Sequence, residues 1–137
     1  MKGENILSEI ILVVLLGIVE YKGKILIVRR ENDPLVKELK WCLPGGSLEP
    51  GKKVEACLKE KIKNKVGLNV SIQQLLFTRI PKENNFLLYY FYCKTKSEKI
   101  KLKEEFVEAK WIEPKEFEKY FTTSVDERLV EFLSGLD

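Results

Sequence analysis

Lys61, Asn64 and Lys65 lie within the stretch Leu43 to Leu68, LPGGSLEPGKKVEACLKEKIKNKVGL. On a helix, residues three and four apart are neighbours, so these three share one strip of surface. An ammonium has three donors and no acceptor. Such a strip attracts anionic oxygens, phosphates above all, and repels a divalent cation. Carboxylates suited to the opposite task stand nearby at Glu49, Glu55 and Glu60, and in a later cluster at Glu104, Glu105 and Glu108. Two unit charges about 4 Å apart interact by roughly 4 kcal/mol near a protein surface. Lys61 and Lys65, flanking Glu60, therefore oppose a metal ion at that place. For all of these groups the plain alternative is a solvated face, the usual state of a run of charge.

The element that must position the strip is short. Val54, Leu58, Ile62 and Val66 recur every four residues, with Cys57 beside them. That is the one-sided apolar pattern of an amphipathic helix of about four turns. Gly45 and Gly46 lead into it and Gly67 stands where a left-handed C-terminal residue is wanted. A glycine turn followed by a helix commonly aims its backbone at an anionic group, which makes Gly45 and Gly46 candidate ligand-binding positions.

This frame resembles the Nudix box, G-x5-E-x7-R-E-U-x-E-E-x-G-U, where U is a bulky aliphatic residue. Gly46 takes its opening glycine, Ile62 and Leu68 its aliphatic positions and Gly67 its closing glycine. The polar half departs from the pattern: Lys52 stands at the first glutamate, Glu60 at the arginine, Lys61 at the next glutamate, and Asn64 and Lys65 at the glutamate pair. In the family those glutamates hold divalent cations, usually magnesium, which takes oxygen ligands and helps generate the nucleophile. Lys52 and Glu60 exchange the signs of a glutamate and an arginine, so an opposite-charge pairing is expected to survive if the two positions touch. The resemblance extends beyond the box. GIVEYKGKILIVRR is similar to the family's opening hairpin, Trp41 to its tryptophan-bearing strand, and Glu104 to Phe117 to its acidic loop, tryptophan strand and proline-started helix. The second strand of that hairpin typically ends in an arginine near the substrate, which makes Arg29 and Arg30 candidates for a phosphate contact. In some members a glutamate of that later loop completes the metal site, which makes Glu104, Glu105 and Glu108 the candidates here.

Composition bounds the alternatives. At 137 residues the chain has the length of one domain, residues 1–137. Its 45% apolar and 33% charged content is that of an ordinary globular protein, and a net charge of +3 is too small to argue for a nucleic-acid partner. There is no histidine, and Cys42, Cys57 and Cys93 are scattered without metal-ligand spacing. Zinc and histidine-based catalysis are set aside, and reduced thiols in a cytoplasmic protein are expected. The apolar run Ile10 to Val19 is too short to span a bilayer and reads as a strand buried on both faces.

The remaining elements follow from pattern. Tyr21 to Lys24 is a hairpin turn and Ile25 to Arg30 the returning strand. Glu31 to Glu38 reads as a loop, Asn69 to Ile80 as a strand broken around its paired glutamines, and Pro81 to Asn85 as a turn. Phe86 to Cys93, FLLYYFYC, reads as a central strand. Ser124 and Glu127 read as the capping box of a last helix with Val130, Phe132 and Leu133 inward. Trp41 is read as packing rather than base stacking.

The resemblance implies an α+β fold, an α/β/α sandwich with a mixed, mainly antiparallel sheet between helices. The favoured reading is a module that binds a nucleotide or nucleoside-diphosphate-type ligand with little or no hydrolysis. Arg29, Gly45, Gly46, Lys61 and Lys65 are its ligand contacts, and it has no resident metal. The first alternative is a divergent hydrolase that uses magnesium or manganese on relocated carboxylates. Glu60 and Glu105 are then the catalytic candidates, and Glu49, Glu104 and Glu108 the metal candidates. The second alternative is a non-catalytic structural or regulatory subunit, and a homodimer is open in each case.

Overall fold

A computed structural model describes residues 12–30, 41–81, 85–121 and 125–136. The terminus before the first strand, the Glu31 to Glu38 segment and Ser124 lie outside the described residues. The two long apolar runs become neighbours: β1 (Leu12–Tyr21) pairs in parallel with β6 (Phe86–Thr95) over its whole length, from Leu12 opposite Phe86 to Glu20 opposite Lys94. Parallel strands require cover on both faces, and β1 has it. Leu15 and Val19 belong to one apolar cluster and Ile18 to the other, all three fully buried.

The other pairings are antiparallel. A tight turn at Lys22 and Gly23, both with positive φ, leads from β1 into β2 (Lys24–Arg30). On β2, Leu26 and Val28 enter the first cluster while Ile25 and Ile27 enter the second. β3 (Trp41–Cys42) and β7 (Phe106–Ile112) pair with β2, and β4 (Gly45–Ser47) pairs with β1. β5 (Val70–Arg79) pairs with β6. It is one strand rather than two: the glutamines fall among register shifts at Ile72/Gln74 and Leu75/Phe77, so bulges absorb the irregular pattern and the strand continues.

Among the described residues three helices cover this mixed sheet. α1 (Val54–Val66) buries Cys57, Leu58, Ile62 and Val66 against the first cluster and ends at Gly67, whose φ of 79° is left-handed. A 3-10 turn at Pro114–Glu116, closed by a reciprocal capping box between Glu113 and Glu116, runs into α2 (Phe117–Tyr120). α3 (Glu127–Ser134) packs on the second cluster through Leu129 and Leu133, while Val130 is only partly buried. Its N-cap is Asp126, which accepts from the Arg128 N–H. An aspartate closer to the helix start supplies the cap that the pattern assigned to Ser124. Among the described residues no helix is long and apolar enough to cross a membrane.

One contact fixes the glycine turn. β4 lies so close to β1 that a Cβ on Gly45 would stand 1.9 Å from the Leu15 carbonyl oxygen, and the φ there is 153°. Gly45→Ala is therefore expected to cost at least about 3 kcal/mol, because the clash is with backbone. Gly51→Ala, at a φ of 82° with nothing within 4 Å, should cost only about 1–2 kcal/mol. Urea unfolding of both variants checks this, and equal losses would mean that β4 can move away from β1.

Candidate functional site

Packing of α1 decides which of its residues meet the glycine turn. With Leu58, Ile62 and Val66 inward, the adjoining strip carrying Lys61 and Lys65 lies over β4. A Cβ on Gly46 would approach Lys65 Nζ to 2.7 Å and Lys61 Cδ to 3.1 Å. The glycine thus makes room for two lysine side chains. Lys65 is 9% exposed, the only buried charged residue among those described. Its Nζ donates to the Gly45 carbonyl at 3.0 Å and to Glu105 Oε2 at 2.8 Å, and it lies 5.6 Å from the centroid of the Phe106 ring.

Glu105 reaches this position through backbone. The Lys101 and Lys103 N–H groups donate to the carbonyls of Val66 and Lys65 at 2.9 Å each, meeting two of the acceptors that a helix end leaves open. That ties the segment before β7 to the end of α1. The turn at Glu104, in a left-handed conformation with φ 59°, then leaves Glu104 exposed and points its neighbour at Lys65. Burial disfavours the charge on Glu105. The hydrogen bond from Lys65, a backbone N–H and the charges of Lys65 and Arg30 outweigh it and hold the carboxyl below its ordinary 4.5.

A second network covers the outer side. Lys52 bonds Glu60 and lies 2.8 Å from Glu49, which Lys61 also contacts at 3.1 Å. The two reversed box positions therefore touch, and an opposite-charge pair persists there with the signs exchanged. Hydrogen bonds from Lys52 and then Lys61 lower the Glu49 pKa, and those from Lys52 to Glu49 and Glu60 raise the Lys52 pKa. On the other face of β2, Arg29 Nε donates to Glu108 Oε1 at 2.7 Å. Glu55 is exposed in the first turn of α1.

The structure thus brings Gly45, Gly46, Lys61, Lys65, Glu49, Glu60 and Glu105 together. It places Arg29 with Glu108 on the opposite face and leaves Glu104 and Glu55 in solvent. A divalent ion does not fit the α1 strip. Lys65 already occupies the two oxygens, one carbonyl and one carboxylate, that face the glycine turn, and Lys61 and Asn64 add no anionic ligand. Among the described residues no group of three or more histidine, cysteine or acidic side chains is arranged to hold a metal ion.

Two features escape a linear reading. An open depression of about 560 Å3 is lined by Thr78, Arg79, Ile80, Leu87, Tyr89 and Arg128, none of them a box residue. Arg128 is set by Asp126 and by the Phe77 ring 4.3 Å below it. Trp41 packs edge to face on Tyr120 at 5.7 Å, with Lys110 over both rings. Strand alternation places Lys110 on the same face as Glu108, but no sequence signal joins it to Trp41 or Tyr120.

Because the Glu105 pKa is depressed, its ion pair contributes fully above the ordinary carboxylate pKa and is lost as pH falls through the lower folded value. Lys65→Met strands a half-buried carboxylate. It should cost about 2–3 kcal/mol at pH 7, somewhat less than a fully buried pair. Chemical denaturation of both proteins across pH should show the gap narrowing below the 4.5 of an unperturbed glutamate. A gap independent of pH would mean that Lys65 contributes only packing.

Comparison with known proteins bears on the same frame. Residues 11–133 match the family model of the NUDIX domain. The nucleoside triphosphatase NudI of Escherichia coli O1:K1 is 26% identical over 121 residues, covering 75% of this chain and 82% of that protein. A NUDIX hydrolase from Nitrosomonas europaea superposes with a TM-score of 0.77 at 18% identity, covering 90% of this chain and 70% of that one. The MutT protein from Methanosarcina mazei Go1 superposes with a TM-score of 0.73 at 18% identity, covering 90% and 92%. With its family match running from β1 into α3 and its sheet and helices in the arrangement of those solved structures, the chain belongs to the Nudix family.

Proposed function

We propose that this Nudix protein binds a nucleotide or nucleoside-diphosphate-type ligand with little or no hydrolysis, and that Lys65 supplies from within the fold the positive charge that a divalent ion supplies in the family's hydrolases. The observation that carries this reading is the position of the Lys65 ammonium, 3.0 Å from the Gly45 carbonyl oxygen and 2.8 Å from Glu105. A fixed ammonium neutralises anionic charge, but it has no open coordination position at which to lower the pKa of a water. Binding and turnover are separated on this account. Lys61 and Lys65 stand at the glycine turn, each paired with a glutamate, and a ligand phosphate reaches either of them by exchanging with Glu49 or Glu105.

The other reading is a hydrolase that uses magnesium or manganese on relocated carboxylates. Its support is the NudI relative, named a nucleoside triphosphatase, together with the solvent-facing Glu104 beside Glu105. Against it, Glu49, Glu60, Glu105 and Glu108 are each engaged by a lysine or arginine.

The test is a panel of nucleoside triphosphates, dinucleotides, nucleotide sugars and ADP-ribose, assayed for turnover and by titration calorimetry with magnesium, manganese or a chelator. Binding that the chelator leaves unchanged, with turnover at background, is expected. Metal-dependent turnover that falls on Glu60→Gln or Glu104→Gln would establish the hydrolase instead. A panel silent in both assays would leave a structural or regulatory subunit. Restoring the pattern's carboxylates in one protein, Lys61→Glu with Asn64→Glu and Lys65→Glu, should raise manganese affinity by about tenfold or more, since each added carboxylate is a hard oxygen ligand. Unchanged affinity would mean that the strip no longer faces a cation site.

A further inference from the structure

The segment between β6 and β7 carries a charge pattern that the box does not use. Lys99, Lys101 and Lys103 are exposed, while Ile100 and Leu102 between them are partly buried and pack against the first apolar cluster. That alternation is the two-residue period of an extended chain. The backbone agrees with it. The Lys101 and Lys103 N–H groups both donate to the end of α1, at 2.9 Å to the Val66 and Lys65 carbonyls, as alternate N–H groups of an extended chain point the same way. At the start of the segment the Glu98 carbonyl accepts from Trp111 Nε1 at 3.1 Å, and the left-handed turn at Glu104 ends it.

One edge of this segment is thus bonded to the helix, and the other is open. Among the described residues the backbone groups of Ile100 and Leu102 make no hydrogen bond. Lys99, Lys101 and Lys103 likewise have no carboxylate partner among those residues, whereas Lys52, Lys61 and Lys65 of the box are each paired with a glutamate. Unpaired N–H and C=O groups along an extended edge are a template for another strand. Because the segment is already pinned at three points, little freedom is left for it to lose on pairing.

A strand added at this edge sets its outward side chains beside the three lysines, and cross-strand pairs of unlike charge favour the pairing. The partner that fits therefore carries a carboxylate at every second residue. Glu98 and Glu104, both exposed, flank the row and limit the match to three carboxylates. A single-stranded nucleic acid fits less well, since it is held by a basic groove interleaved with rings on which bases stack. The ring tied to this segment, Trp111, packs instead on Tyr21 at 6.0 Å and on the first apolar cluster.

We propose that segment 99–103 takes up an extended acidic segment of a partner protein by strand addition, with its backbone on Ile100 and Leu102 and its alternate carboxylates on Lys99, Lys101 and Lys103. Main-chain bonds supply the affinity and the alternate side chains the specificity. The site lies away from the glycine turn and requires neither a bound nucleotide nor turnover.

NMR titration of the isotope-labelled full chain tests it, with a short capped peptide of alternating threonine and glutamate that holds three glutamates. The amide signals of Ile100 and Leu102 should move, and the peptide should bind about fivefold tighter than its isomer with the glutamates consecutive, in which one carboxylate faces the wrong way. Lys101→Ala should weaken binding about threefold or more, and Lys99→Ala, Lys101→Ala and Lys103→Ala together should abolish the preference between isomers. All three lysines are exposed, so these variants should melt with the parent protein. N-methylation of the peptide's amides, which keeps every charge and removes the donors, should weaken binding about tenfold or more. Equal binding by the methylated peptide would mean charge attraction alone and overturn the proposal. So would tighter binding of an oligouridylate of equal charge, which would make the surface one for nucleic acid, or no binding of the alternating peptide.

Discussion

A lysine charge taken out of water must have its donors met, and at Lys65 that requirement organises the site. Its two oxygen partners come from opposite directions, the Gly45 carbonyl from the turn before α1 and the Glu105 carboxylate from the segment before β7. Each partner has its own support. Gly45 is held against β1 by an approach that admits no Cβ, and the Glu105 segment is tied by backbone hydrogen bonds to the end of α1. The Lys65 charge is covalently part of α1, so its position is fixed by folding.

The outer network obeys the same balance of charge. Lys52 and Glu60 exchange the signs of the family's glutamate and arginine and still pair, while Glu49 bridges Lys52 and Lys61. Apart from Lys61, whose side chain is 17% exposed, these groups are largely exposed, and exposed pairs stabilise little. Their effect is on direction: Lys61 is held toward the Leu48 to Lys53 segment. A helix with lysines at 59, 61, 63 and 65 thus avoids a concentrated positive field over the glycine turn, and two of those charges are met by glutamates outside the helix. Across the sheet, Lys110 is met by aromatic rings, which leave its charge available.

Most of the scaffold was legible from the sequence, because the elements that form it carry strong local patterns. The four-residue spacing of Val54, Leu58, Ile62 and Val66 and the closing Gly67 specify α1 and its end. The continuous apolar runs at β1 and β6 announce strands covered on both faces, although nothing local says that the two pair in parallel. Misreadings arose where a local rule had a near-equal rival. Asp126 capped α3 in place of Ser124, and β5 absorbed its glutamines as bulges instead of breaking.

That the box helix bears lysine where its family bears glutamate is a matter of residue identity at fixed helical spacing, and it can be read without a fold. So can the buried face of that helix, because apolar periodicity and helical pitch are both local. What those charges do depends on the folded chain. Lys65 meets Glu105 across forty residues of chain, Arg29 meets Glu108 across seventy-nine, and Lys110 meets Trp41 and Tyr120 from separate elements. A charge has no periodicity to reveal its partner. Its role follows from which other groups the packed sheet brings within a few ångströms, and that is set by register and burial over the whole chain.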